Sequence, residues 1–110
     1  MADDKKETTG SVMISNEVIN IIASLAINDV EGIYSSDKRK AKKNLGKCIE
    51  IENEDGRIAI RLKLYIGYDT KLPVMVDSVQ GKIKSSVENM TGFEVSSVDI
   101  DIIGMTREEE

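Results

Sequence analysis

The chain has 110 residues, 40% of them hydrophobic, and 15 basic against 20 acidic side chains give it a net charge of −5. That length holds one domain and excludes two ordinary ones, and no stretch approaches the roughly 20 apolar residues that span a bilayer. There is no histidine and one cysteine, Cys48, which excludes an internal disulfide, the Ser-His and Cys-His dyads and a clustered zinc site.

The apolar residues are mostly branched: Ile and Val number 24, Phe occurs once and Trp is absent. Such residues favour a pleated surface, so strands are expected to carry much of the core. Residues 1–10 are polar and of mixed charge, with no apolar run after them of the signal-peptide kind. They read as a disordered leader, and together with the single cysteine they point to a reducing, cytoplasmic setting.

Ser11-Val12-Met13-Ile14 reads as a first short strand. Ser15 is a good N-cap for a helix, with Glu17 in the first turn where the dipole favours an acid, and Gly32 suits a left-handed stop beyond Val30. On that helix Glu17, Asn20, Ser24, Asn28 and Glu31 fall in one narrow polar arc of roughly 80°. Apolar residues from Val18 to Val30 cover most of the rest, more than the stripe of about 100° that packing on a sheet requires. The helix is therefore expected to be deeply buried, beside a second helix or against another chain. Asp29, inside the apolar arc, reads either as reaching the surface or as meeting a cation from the segment that follows.

That segment is the most concentrated chemical signal. Lys38, Arg39, Lys40, Lys42, Lys43 and Lys47 lie within ten residues free of acids, while the remainder carries nine basic and 20 acidic residues. Two readings stand: a site for an anionic partner, through phosphates of nucleic acid or lipid head groups, or a solvated crossover loop. Cys48 follows, read as a small strand residue rather than an activated thiol.

Ile49 and Ile51 alternate with Glu50 and Glu52, and Asn53-Glu54-Asp55-Gly56 supplies a turn. The return strand alternates cleanly: Ile58, Ile60, Leu62, Leu64 and Ile66 on one face, Arg57, Ala59, Arg61, Lys63 and Tyr65 on the other. Pro73 suits a helix's first turn, and Leu72, Met75, Val76, Val79, Ile83, Val87 and Met90 form a stripe that ends at Gly92. The last strand is Val98–Ile102, where Asp99 and Asp101 read either as a metal-holding pair or, preferably, as partners of Arg61 and Lys63 across the sheet. Residues 106–110 read as a frayed acidic tail.

The order is an α+β, two-layer β-α-β-β-α-β sandwich over residues 11–105, with two helices on one face of a four-stranded mixed sheet whose other face is polar. No Walker A or G-x-G-x-x-G sequence occurs among the glycines. Neither an enzyme nor a cofactor is expected.

Gly10-Ser11-Val12-Met13-Ile14, Val30-Glu31-Gly32-Ile33, Tyr65-Ile66-Gly67-Tyr68, Met90-Thr91-Gly92-Phe93 and the run Val98–Gly104 occur in this order and spacing. In this the chain resembles the alkaline-shock protein family of Gram-positive bacteria, known as envelope stress response proteins. The resemblance implies a non-enzymatic cytoplasmic protein of cell-envelope homeostasis, acting by self-association and protein binding. It also implies partners: for some members a small membrane-anchor protein that recruits them to the inner face of the membrane, for others the acetyl-CoA carboxylase complex. It carries over no catalytic residue. A KH-type RNA-binding module ranks second, because such modules need a G-x-x-G turn and no glycine here has another three residues on.

Overall fold

The computed structural model describes residues 12–35 and 41–106. The expected leader, 1–10, and residues 107–110 of the expected tail lie outside them, while Thr106, expected to open that tail, closes the last strand. In chain order the elements are α1 (Asn16–Ala26), β1 (Ile33–Tyr34), a 3-10 helix (Ala41–Cys48), β2 (Ile49–Glu54), β3 (Arg57–Gly67), α2 (Leu72–Thr91) and β4 (Glu94–Thr106). The result is the expected α+β arrangement, with one change at its start.

That change concerns the first strand. Val12–Ser15 are not in the sheet; Val12 and Met13 are exposed and Ile14 is half-buried against the core. The strand before the basic segment is instead Ile33–Tyr34, directly after Gly32. β3 is the central strand and explains why. β4 runs parallel to it along its whole length, Arg57↔Glu94 through Gly67↔Thr106. Its other edge is shared end to end by β2, Ile49↔Leu62 through Glu54↔Arg57, and β1, Ile33↔Ile66 and Tyr34↔Tyr65, both antiparallel. With both edges of β3 taken, the apolar run at Val12–Ile14 has no central strand to join. Consequently α2 alone is a crossover between parallel strands, and α1 is not the second one that the expected order required.

Local signals account for most boundaries. Ser15 Oγ accepts from Val18 N at 3.3 Å. The hairpin closes on two residues, Asp55 and Gly56, with φ of +54° and +83°, the mirror-image turn that matches strand twist; Asn53 Oδ1 accepts from Gly56 N at 3.1 Å. Gly92 ends α2 at φ +78°. α1 stops earlier than expected, at Ala26, and a turn over residues 27–29 follows.

The core lies between the sheet and the two helices. Ile58, Ile60, Leu62, Leu64 and Ile66 of β3 are all buried, as the alternation requires, against Ile19, Ile22, Ala23 and Ile27 from α1 and its turn and Met75, Val79, Ile83 and Val87 of α2. The other sheet face stays open, with Glu50, Glu52, Arg57, Arg61, Lys63, Asp99 and Asp101 exposed on it.

Candidate functional site

α1 presents three faces. One enters the core. A second, carrying Asn16 and Asn20, reaches the free edge of β2: Asn16 Nδ2 donates to the carbonyl of Ile51 at 3.4 Å, and Asn20 Nδ2 to those of Gly46 and Ile49 at 2.9 and 3.0 Å. Two asparagines one helical turn apart thus meet carbonyls two residues apart on an edge strand. Asn20 also ties down the 3-10 helix, and a Cβ at Gly46 would lie 2.8 Å from its Oδ1. Part of the polar arc is therefore a clamp. Asn20→Asp, which keeps the size but turns a donor into an acceptor facing two carbonyls, should cost about 2–4 kcal/mol. Thermal denaturation followed by circular dichroism should show a midpoint lowered by about 10 °C or more; an unchanged midpoint would mean the clamp contributes nothing.

The third face is apolar and open to solvent. Val18, Ile21 and Leu25 are 45%, 55% and 68% exposed, spaced three and four residues apart. Of the two expected covers for this wide apolar surface, the second helix is present and incomplete: α2 lies beside α1 and Ile19, Ile22, Ala23 and Ile27 are buried, but within the chain this stripe stays bare. Beside Ile21 runs a groove of about 570 Å³, lined by Asn16, Glu17, Asn20, Ile21, Ile49 and Ile51.

A further site forms where the turn after α1 meets the loop before α2. The carbonyl of Gly32 accepts from Gly67 N at 2.9 Å and from Thr70 Oγ1 at 3.3 Å. Gly32 has φ +92°, and a Cβ there would lie 2.6 Å from Thr70 Oγ1. The junction borders a cleft of about 560 Å³ whose rim includes Asp29, Glu31, Asp69, Lys71 and Lys82. Asp29 is exposed, as the surface reading requires, and pairs with Lys82 of α2 at 3.6 Å.

Of the six basic residues singled out, Lys38, Arg39 and Lys40 lie outside the described residues. Lys42 and Lys43 belong to the 3-10 helix, their side chains likewise outside the description, and Lys47 is exposed. Cys48 is buried, and it is the last residue of the 3-10 helix rather than the strand residue expected, because β2 begins one position later. Asp99 and Asp101 face Arg61 and Lys63 across the parallel ladder, as the ion-pair reading requires, though the pair that closes to 4.0 Å on this face is Arg57 with Glu94. Sequence reasoning missed the pairing of Asn16 with Asn20; an i, i+4 asparagine pair on an otherwise apolar helix was the available signal.

Residues 4–107 match the model of the alkaline-shock protein 23 family, described as having a cell envelope-related function. The uncharacterized protein Spy1535 of Streptococcus pyogenes is 31% identical over 108 residues, 93% of this chain and 84% of its own length. A stress response regulator gls24 homolog of the same species is 21% identical over 110 residues, 92% of this chain and 62% of its own. Among solved structures, Era in complex with MgGDPNP and nucleotides 1506–1542 of 16S ribosomal RNA is similar at a TM-score of 0.46 and 9% identity, over 92% of this chain and 37% of that one.

Proposed function

The chain belongs to the alkaline-shock protein 23 family, and on that premise we propose that it is a non-enzymatic scaffold of the cell-envelope stress response that pairs with a second copy of itself through α1. The family and its stress-regulator relatives support the cell-envelope stress role. No described helix is long and apolar enough to cross a membrane, and the proposal places the protein in the cytoplasm, working on the envelope through partners.

The observation that carries the pairing is the exposed stripe Val18, Ile21 and Leu25. Spacings of three and four residues are those of a helix–helix seam. Two copies packed antiparallel about Ile21 bring stripe onto stripe and set the two Glu17 carboxylates at opposite ends, so no like charges meet. Covering a half-exposed aliphatic side chain contributes on the order of 1 kcal/mol, and six of them only modestly exceed the cost of association. The pairing is therefore expected to be weak and concentration-dependent. Sedimentation analysis from ten to several hundred micromolar should show a monomer–dimer equilibrium in the wild type. Ile21→Asp should abolish it while leaving the melting temperature within a few degrees, because position 21 faces solvent. A wild-type chain that stays monomeric over the whole range overturns the proposal.

A further inference from the structure

We propose that the free edge of β4 takes up an extended segment of a partner protein whose residues alternate between basic and apolar. This rests on reading the domain as a protein-binding module, but it uses a surface distinct from α1.

β4 pairs with β3 on one side and, among the described residues, with no strand on the other. The carbonyl of Val98 faces that outer edge, where Gln80 Nε2 donates to it at 2.9 Å. Backbone groups alternate along a strand, so the N–H and C=O of Ile100 and Ile102 point the same way. An edge of this kind is a template for another strand, and proteins usually blunt it. The edge of β2 is blunted by Asn16 and Asn20; on β4 two side chains of α2 do this at the N-terminal end, Glu88 Oε2 accepting from Val95 N at 2.9 Å and Gln80 donating at Val98, and among the described residues no such contact reaches Ile100 or Ile102. The bulges at Ser96 and Ile103 lie on either side of the segment, leaving Ser97–Ile102 as a regular stretch of strand length.

The chemistry of the occupant follows from both faces of that stretch. On the open face, charge alternates by strand: Glu50 and Glu52 on β2, Arg61 and Lys63 on β3, Asp99 and Asp101 on β4. Opposite charges on neighbouring strands attract and like charges repel, so a strand beside Asp99 and Asp101 should bring Lys or Arg. On the helix side, Leu62 and Leu64 of β3 are fully buried, whereas Ile100 and Ile102 opposite them are only partly covered. The missing cover is a neighbouring apolar side chain. A second copy of β4 does not fit this edge, because with the outward groups of Val98, Ile100 and Ile102 matched, both antiparallel registers that pair five residues of Ser97–Ile102 set Asp opposite Asp.

The test titrates the full-length protein, wild type and Ile21→Asp in parallel, with labelled ten-residue synthetic peptides, reading fluorescence anisotropy and the amide NMR shifts of Ile100 and Ile102. A peptide alternating Lys and Val should bind both proteins and move both amides; one alternating Glu and Val should bind at least tenfold more weakly. Methylating alternate backbone nitrogens of the Lys–Val peptide should abolish binding in one of the two possible frames. Asp99→Lys with Asp101→Lys should reverse the preference, and the milder pair Asp99→Asn with Asp101→Asn should erase it if the reversed protein does not fold. Absence of Lys–Val binding, equal binding of both methylated frames, or a preference unaffected by the Asn pair each overturns the proposal. Because Ile21→Asp is titrated alongside, failure of α1 pairing is read separately.

Discussion

Ile60→Asp should leave no cooperatively folding protein at 25 °C. Ile60 is 1% exposed on the central strand, between Ile51 of β2 and Val98 of β4. An unpaired carboxylate there costs about 3–5 kcal/mol, and the lost burial of the isoleucine adds about 2. A domain of this size has roughly 5–15 kcal/mol in all. Circular dichroism should show a flat thermal trace, and size exclusion an expanded or aggregated species. The control is Ile60→Val, which removes one methyl group and should cost about 1 kcal/mol, or roughly 4–8 °C. If Ile60→Asp instead melts near the wild type, β3 presents its other face to the helices and the fold described above is wrong.

The second large effect is at Gly32. Gly32→Ala places a Cβ at φ +92° and 2.6 Å from Thr70 Oγ1. Strain at that φ contributes about 1–3 kcal/mol. Displacing Thr70, whose hydroxyl donates to the Gly32 carbonyl, contributes about 1 more. The melting temperature should fall by about 10–20 °C. The two parts separate in a double-mutant cycle: with Thr70→Ala as background the clashing oxygen is gone and only the backbone strain remains, so Gly32→Ala should cost about 1 kcal/mol less. Equal costs in both backgrounds would show that the contact with Thr70 plays no part. This junction joins Val30-Glu31-Gly32-Ile33 to Tyr65-Ile66-Gly67-Tyr68, segments far apart in sequence that carried the family resemblance. Their separate appearance as loose glycine patterns gave no hint that Gly67 N donates to Gly32 O.

The basic segment, the strongest sequence signal, recedes in this account. Of its six basic side chains the one whose surroundings are described, Lys47, is exposed, and the surfaces that carry the proposals are the apolar stripe of α1 and the edge of β4. The first was legible in part, the second not at all. The surplus apolar character of α1 was visible in its sequence, but whether α2 or solvent would meet Val18, Ile21 and Leu25 depends on how the two helices sit on the sheet. β4 was read as Val98–Ile102, yet it runs from Glu94 to Thr106, because β3 offers a full-length parallel partner that draws even Glu94, Ser97 and Gly104, which have little strand propensity of their own, into the ladder.

What the amino-acid order determined alone were features whose causes act over a few residues. Ser15 caps α1, Asp55–Gly56 turns the hairpin, Gly92 stops α2, and the two-residue alternation of β3 chooses which side chains are buried. Each rests on a local backbone preference or on side-chain periodicity, and both can be read from neighbours. Tertiary structure decided what depends on competition for a shared surface. Val12–Ile14 lost their place in the sheet to Ile33–Tyr34 because the edges of β3 were already filled. Asn16 and Asn20 became a clamp because β2 brought carbonyls within reach, and Ile21 was left bare because α1 turns Ile19, Ile22 and Ala23, not this stripe, into the core. A sequence states what each segment favours, but only the packed chain settles which segment reaches a given edge or face.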